Sequence, residues 1–310
     1  PWAEGTPSLA DVGNGEVVHE AFAAISQKQF AVLVTEWKRR VTKMEPTARP
    51  PPPPLNPPQR KFAREHLAVQ LHFARARRNN QTPCAAVEAA REAGLPQVSL
   101  LQGAGGTGKS VLLKAMEKTM RDLQLGTMII TAWTGVASAP FGSPTLCTLL
   151  KIKFAQLRRF SNATEDELHA LRSDFAQAAC DPEDLLVMVI DECSFLSPEG
   201  LCHVDVQLRR LCDQPDTPFG GILLMLAGDF WQKAPPGGPS MAEQLVAQEV
   251  PGLTERATPL DPTTPNAKGL AFFRQARRTV LTQQMRAADD KTFQKELLQL
   301  RDTHCQTPVP

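Results

Sequence analysis

The sequence of 310 residues has no tyrosine, no C-x-x-C pair and almost no excess charge of either sign. Without tyrosine, no phenol can act as a catalytic acid or base. The seven cysteines are scattered, which argues against a disulfide framework and fits a reduced compartment with free thiols. Cys193, Cys202, His203 and Cys212 come nearest to a zinc set, yet their spacing supplies no tight pair of ligands. The net charge of +1 names no partner. Long apolar runs are also missing. Leu185–Ile190 and Ile222–Ala227 are far too short to span a bilayer, so no membrane association is expected. No cleavable leader is visible. The chain begins at Pro1 and not at Met, so it is read as a fragment of a longer protein.

What is present is a phosphate loop. Gly103-Ala104-Gly105-Gly106-Thr107-Gly108-Lys109-Ser110 fits G-x-x-x-x-G-K-[ST]. Val98–Leu101 ahead of it reads as a short buried strand. Leu112, Met116, Met120 and Leu123 behind it recur at helical spacing. Glycines let the backbone curl around a triphosphate with several N–H groups pointing inward. The helix N-terminus adds its positive dipole end. Lys109 is placed to reach the β- and γ-phosphates, and the Ser110 hydroxyl to ligate Mg²⁺. A glycine-rich turn with a chance Lys-Ser is the plainer alternative.

In chain order, residues 1–49 carry no readable chemistry, although Phe22, Ile25, Phe30, Val34 and Trp37 follow a helix-like pattern. Residues 50–58 are rich in proline and read as a stiff spacer at a domain boundary. A helix follows, with Ala63, Leu67 and Leu71 four apart and six basic residues against Glu65 between residues 60 and 78. That charge suits a solvated face or a phosphate-facing patch. The Gln59 amide can accept from and donate to an adenine edge together. Gly126 is expected to end the helix after the phosphate loop, with a second strand at Thr127–Ile130. Thr134-Gly135-Val136-Ala137 and Gly142–Thr145 then lie at the carboxyl edge of the sheet, where ligands bind. Trp133 suits either a core position or stacking on a base. Residues 151–180 read as an insertion, with a helix started by a Thr164/Glu167 capping box.

Leu185–Ile190 is a continuous apolar run suited to a central parallel strand. It ends in Asp191-Glu192. Asp191 is suited to hold Mg²⁺, and Glu192 to orient and deprotonate an attacking water. A fourth strand, Ile222–Ala227, ends at Gly228-Asp229-Phe230-Trp231-Gln232, where Gln232 is suited to sense a γ-phosphate. A linker rich in proline and threonine runs through Pro265. The segment beyond Gly269 reads as a short strand and a helix and carries Arg286.

Together these pieces resemble the superfamily-one 5′-to-3′ DNA helicases, specifically the PIF family, with RecD-like relatives further off. The resemblance runs from Leu55 to Arg301. It rests on Leu55-Asn56-Pro57-Pro58-Gln59, the phosphate loop, Thr134-Gly135-Val136-Ala137, Asp191-Glu192-Cys193-Ser194, Phe219-Gly220-Gly221, Gly228-Asp229-Phe230-Trp231-Gln232 and Met285-Arg286. It implies an α/β, RecA-like phosphate-loop fold: a parallel sheet with helices on both faces and a wedge-like insertion at about 151–180. It further implies an ATP-dependent DNA helicase using ATP and Mg²⁺. Gln59 would read adenine. Gly103, Gly105, Gly106, Thr107, Gly108, Lys109 and Ser110 would hold the phosphates, with Ser110 and Asp191 on Mg²⁺. Lys109, Asp191, Glu192, Gln232 and Arg286 would be catalytic. Thr134, Gly135 and Thr145 would touch DNA. The expected partners are single-stranded DNA and duplex junctions, met as a monomer. For a eukaryotic member, nucleus or mitochondrion is implied. The sequence departs from the family's usual His at Cys147 and proline at Ala234. A second RecA-like domain is expected beyond the tail at 302–310 and is missing here. The rivals are an ATP- or DNA-binding remnant without turnover and a phosphate-loop enzyme acting on small molecules.

Overall fold

The computed structural model describes residues 55–152, 164–232, 235, 240–249, 261–285, 292 and 296. The segment before Leu55, part of the insertion, Ala234, Arg286 and the tail at 302–310 lie outside the described residues. The sequence reads Pro57 and Pro58 as the end of the spacer. They are instead the first two residues of helix α1 (Pro57–Arg78), where a missing N–H costs nothing. Asn56 caps α1, and Gln59 completes a capping box: the Asn56 side chain accepts from Gln59 N, and Gln59 Oε1 accepts from Asn56 N, each at 2.9 Å. The basic last turn of α1 suits the negative end of its dipole. From there Arg77 donates to the carbonyls of Glu183 and Leu185.

Helix α2 (Pro83–Glu92) leads to strand β1 (Val98–Gly103), and helix α3 (Lys109–Asp122) to β2 (Thr127–Ala132). Gln124, at φ 52°, takes the left-handed position after α3. The helix therefore stops before Gly126, where the sequence had placed its end. Two single-turn helices follow, α4 (Gly135–Ser138) and α5 (Leu146–Leu149), and then α6 (Glu165–Ala178). The Thr164/Glu167 capping box of α6 is present as expected. Strand β3 (Leu185–Asp191), α7 (Pro198–Cys212), β4 (Leu223–Gly228), α8 (Met241–Glu249), α9 (Pro265–Gln275) and β5 (Arg277–Leu281) complete the order. The segment read as linker through Pro265 therefore holds α8, and Pro265 itself opens α9 behind the Thr264 cap.

The strands form one sheet in the order β2-β3-β4-β1-β5, with every neighbouring pair parallel. β1, β3 and β4 are buried along their whole length, as continuous apolar strands covered on both faces must be. Side chains alternate between two cores. Val187, Val189 and Met225 pack with α1 and α3, while Met188, Ile190 and Leu224 pack with α7 and Phe273 of α9. The α7–α9 crossing needs a residue without a side chain. A Cβ on Gly269 would lie 1.8 Å from Pro198 O.

The turn before β4 is held by a buried acid. Asp205 Oδ1 accepts from Phe219 N at 2.6 Å, and Oδ2 accepts from Arg209 Nε at 2.8 Å. This anchors Phe219 in the left-handed region, at φ 51°. Helix α3 leaves β1 toward one face, whereas the elements after β3 and β4 pack on the other. A crevice therefore opens at the carboxyl ends of β1 and β4, the place where open α/β sheets bind ligands.

Candidate functional site

The phosphate loop fills the β1–α3 turn. Gly108 sits at the N-cap of α3 with φ 80° and ψ 22°, a left-handed geometry that glycine adopts without strain. No side chain caps the helix, and its first turn holds no acid. The backbone N–H groups there remain available to an anion. Lys109 Nζ donates to Gly103 O at 2.6 Å and Ala104 O at 3.3 Å. Thr107 Oγ1 donates to Ala104 O at 2.9 Å. Gly105 and Ser110 are exposed on the rim.

Two braces reach the loop from distant sequence. Gln59 Nε2 donates to Thr107 O at 2.9 Å, and Met285 N donates to Gly106 O at 2.8 Å. Asn56 Nδ2 joins the braces through Met285 Sδ at 3.3 Å. Gln59, proposed from sequence as an adenine reader, thus spends both ends of its amide within the protein and is 2% exposed. Its capping role was missed, although Asn56-x-x-Gln59 is a capping-box pattern.

Strand β3 delivers Asp191 and Glu192. The buried Asp191 accepts at Oδ1 from Glu192 N at 2.9 Å. Burial raises its pKa above the usual carboxylate value, and the Glu192 N–H and the Lys109 ammonium act against that rise. Glu192 leaves the strand with φ 52° and ψ 42°, a left-handed conformation costly for a residue with a side chain. Its Oε2 accepts from Thr134 Oγ1 at 3.1 Å. Cys193 beside it is fully buried with its thiol pushed up, so it packs and is no nucleophile.

From β4, Asp229 closes a turn by accepting from Trp231 N at 3.2 Å and, through its carbonyl, from Gln232 N at 3.0 Å. Gln232 Nε2 lies 3.8 Å from the point where a Cβ on Gly105 would sit. The loop, Asp191, Glu192 and Gln232 thus meet along one rim.

The candidate DNA residues also cluster. Thr134 caps α4 and Thr145 caps α5. Thr145 Cγ2 is 4.0 Å from the Cβ position of Gly135. Thr131 Oγ1 ties the two segments together by donating to Pro144 O at 2.7 Å. Val136 and Trp231 are exposed, at 87% and 54%. Trp133 is half-buried against the core. Arg286 and Ala234 lie outside the described residues.

Among the described residues, no three His, Cys, Asp or Glu side chains converge as a metal cage. A Mg²⁺ site needs none, because that ion keeps waters and phosphate oxygens and takes only one or two protein ligands. The Ser110 hydroxyl and Asp191 carboxylate are hard oxygen donors of the right kind.

A parallel sheet with a phosphate loop after β1 and acids after β3 defines a RecA-like phosphate-loop lobe. The family model of the PIF1-like helicases matches residues 80–256. That is more than half of the chain, and the chain belongs to this family. The ATP-dependent DNA helicase PIF5 of Trypanosoma brucei brucei is 28% identical over 245 residues, covering 75% of this chain and 26% of that relative. The ATP-dependent DNA helicase RRM3 of Saccharomyces cerevisiae is 33% identical over 141 residues, covering 43% of this chain and 18% of the relative. The chain thus spans about a quarter or less of the length of these relatives. The crystal structure of Pif1 helicase from Candida albicans aligns with a TM-score of 0.51 at 21% identity, over 80% of this chain and 44% of that one. A structure titled for DNA unwinding at forked duplexes by two coordinating Pif1 helicases aligns at 0.50 and 18%, over 80% and 48%. Both show the shared fold.

Proposed function

We propose that residues 55–301 form the first RecA-like lobe of an ATP-dependent DNA helicase. The loop glycines and Lys109 bind the ATP phosphates, and Ser110 and Asp191 hold Mg²⁺. When bound there, Mg²⁺ would supply neutralising charge for the phosphate oxygens. Glu192 orients the attacking water and takes its proton. Gln232 reports the γ-phosphate to the rim where Thr134, Gly135 and Thr145 meet the phosphates of single-stranded DNA. Gln59 turns from Thr107 to the adenine edge, and Arg286 neutralises phosphate charge. Single-stranded DNA and forked junctions are the substrate, taken up by a monomer, and residues 151–180 form the wedge. No helix among the described residues is long and apolar enough to cross a membrane.

One observation supports the reading most: in a chain of this family, the Gln232 amide from the end of β4 lies beside Gly105 of the phosphate loop. DNA-stimulated ATP hydrolysis by the full-length protein tests it. Lys109→Ala should abolish turnover with the fold intact. Normal turnover in that variant overturns the assignment. Binding of ATP and DNA by the full-length wild type, without hydrolysis at any DNA concentration, would identify a non-catalytic remnant.

A further inference from the structure

One hydrogen bond links the two halves of the rim. Thr134 Oγ1 donates to Glu192 Oε2 at 3.1 Å and accepts from Ala137 N at 3.4 Å. The contact follows from strand register. Ala132 pairs with Asp191, so β2 and β3 end level. The residue two beyond β2 then meets the residue one beyond β3. A hydroxyl owns one proton and can donate to one acceptor at a time. In this structure that proton belongs to Glu192.

We propose that the Thr134 hydroxyl is a positioning switch for Glu192, thrown by a DNA phosphate. This rests on the reading of Glu192 as the water-activating base and of Thr134 as a DNA contact. A phosphate diester carries only acceptors. It can engage Thr134 solely through the proton that Glu192 now holds, so the two acceptors exclude each other. Without DNA, the carboxylate is tethered to the end of β2, away from free choice of a water. With DNA, the hydroxyl turns to the phosphate, and Glu192 is released to act. Gly135 follows Thr134 directly, and Thr145 Cγ2 lies 4.0 Å from the point where a Cβ on Gly135 would sit. DNA stimulation of turnover then needs no long relay. It is one proton donor changing partners.

Coupling of this kind is reciprocal: if DNA draws the hydroxyl off Glu192, then Glu192 must weaken DNA binding. The first measurement uses full-length protein, no nucleotide, and a fluorescein-labelled oligo-dT strand at fixed salt. Glu192→Ala should bind the strand about threefold to tenfold more tightly. Thr134→Val should bind more weakly, and adding Glu192→Ala to Thr134→Val should bring no gain. An equal gain with Val at 134 would mean plain charge repulsion and would overturn the switch.

The second measurement is turnover without DNA. Thr134→Val should raise it about threefold or more and shrink the stimulation by DNA. Thr134→Ser, which restores the O–H, should rescue the wild-type pattern. A DNA-free rate in Thr134→Val at or below wild type overturns the proposal. If Val at 134 prevents folding, Thr134→Cys, a weak donor of similar size, is read in the same way. Lys109→Ala and Glu192→Gln separate the two possible failures. If either retains full turnover, the function proposed above fails. If both are dead and the affinity cycle shows no coupling, the switch alone fails.

Discussion

At the foot of the sheet, where strands begin, charged and polar side chains are spent on fixing turns and strand entries. Asp205 is shared between Arg209 and the Phe219 N–H, and Arg77 closes the carbonyls that lead into β3. Gln97 Nε2 donates to Pro218 O at 2.6 Å and Ile222 O at 3.2 Å, fixing the entry to β4. At the carboxyl end the polar groups are committed less firmly. The α3 N-terminus has no side-chain cap, Lys109 rests on loop carbonyls, and Asp191 has its pKa raised by burial. Glu192 is held by one hydroxyl on a left-handed backbone. One end uses polar groups to fix a shape, and the other, on the function proposed above, holds them for a ligand. A substitution at the foot should therefore cost stability. One at the carboxyl end should cost activity.

The largest expected effect lies at the carboxyl end. Glu192→Gln should lower DNA-stimulated ATP turnover by about 10²- to 10⁴-fold. Its urea-unfolding free energy should stay within about 1 kcal/mol of wild type, because the amide keeps an acceptor for Thr134. A comparable loss of stability would break the comparison. At the foot, Asp205→Ala should destabilise by about 3 kcal/mol or more, since Arg209 and the Phe219 N–H are left without their shared partner. Asp205→Asn, which still accepts from Phe219 N, should cost less. Turnover per folded molecule should hold in both, measured below the unfolding transition.

His66 sharpens the contrast through pH. It lies in α1 beneath the start of β1 and β4, beside the Phe62 ring at 4.1 Å. Burial first, and then the Arg277 charge, lower its pKa to about 3. The unfolded chain binds a proton near pH 6.5, and the folded chain does not until near pH 3. Stability is unaffected above about pH 6.5 and falls below it, by about 1.4 kcal/mol per pH unit. Relative to wild type, His66→Leu should recover about 2 kcal/mol on going from pH 7.5 to pH 5 in urea unfolding. Parallel pH curves for the two proteins would remove His66 from this account. The smallest effect belongs to charge without burial. Lys61 and Glu65 are 3.9 Å apart, with the lysine side chain 66% exposed. Lys61→Ala should change stability by less than about 0.5 kcal/mol.

Much of this was legible in the sequence because it is local. Leu185–Ile190 reads as a central strand from its unbroken apolar run, and the phosphate loop declares itself by glycine spacing. The Thr164/Glu167 cap needs only four residues to be seen. What escaped depends on partners far apart in the chain. The bond between Thr134 and Glu192 spans 58 residues, and that between Gln59 and Thr107 spans 48. Helix α9 was hidden for another reason. Its Thr264-Pro265 start looks like one more pair in a proline- and threonine-rich stretch, yet the threonine is a cap and the proline a first-turn residue. Phe219 could not be read as left-handed, because a buried acid on α7 imposes that geometry against the residue's own preference.

The braces on the phosphate loop set a boundary for anyone trimming the gene. The span matched by the family model, 80–256, retains every letter of the glycine motif. It discards Gln59 on one side and Met285 on the other, together with β5, the strand that flanks β1. A protein cut to that span would keep its signature and lose the scaffolding that shapes it. The smallest piece worth expressing starts at the Asn56 cap and ends beyond Met285.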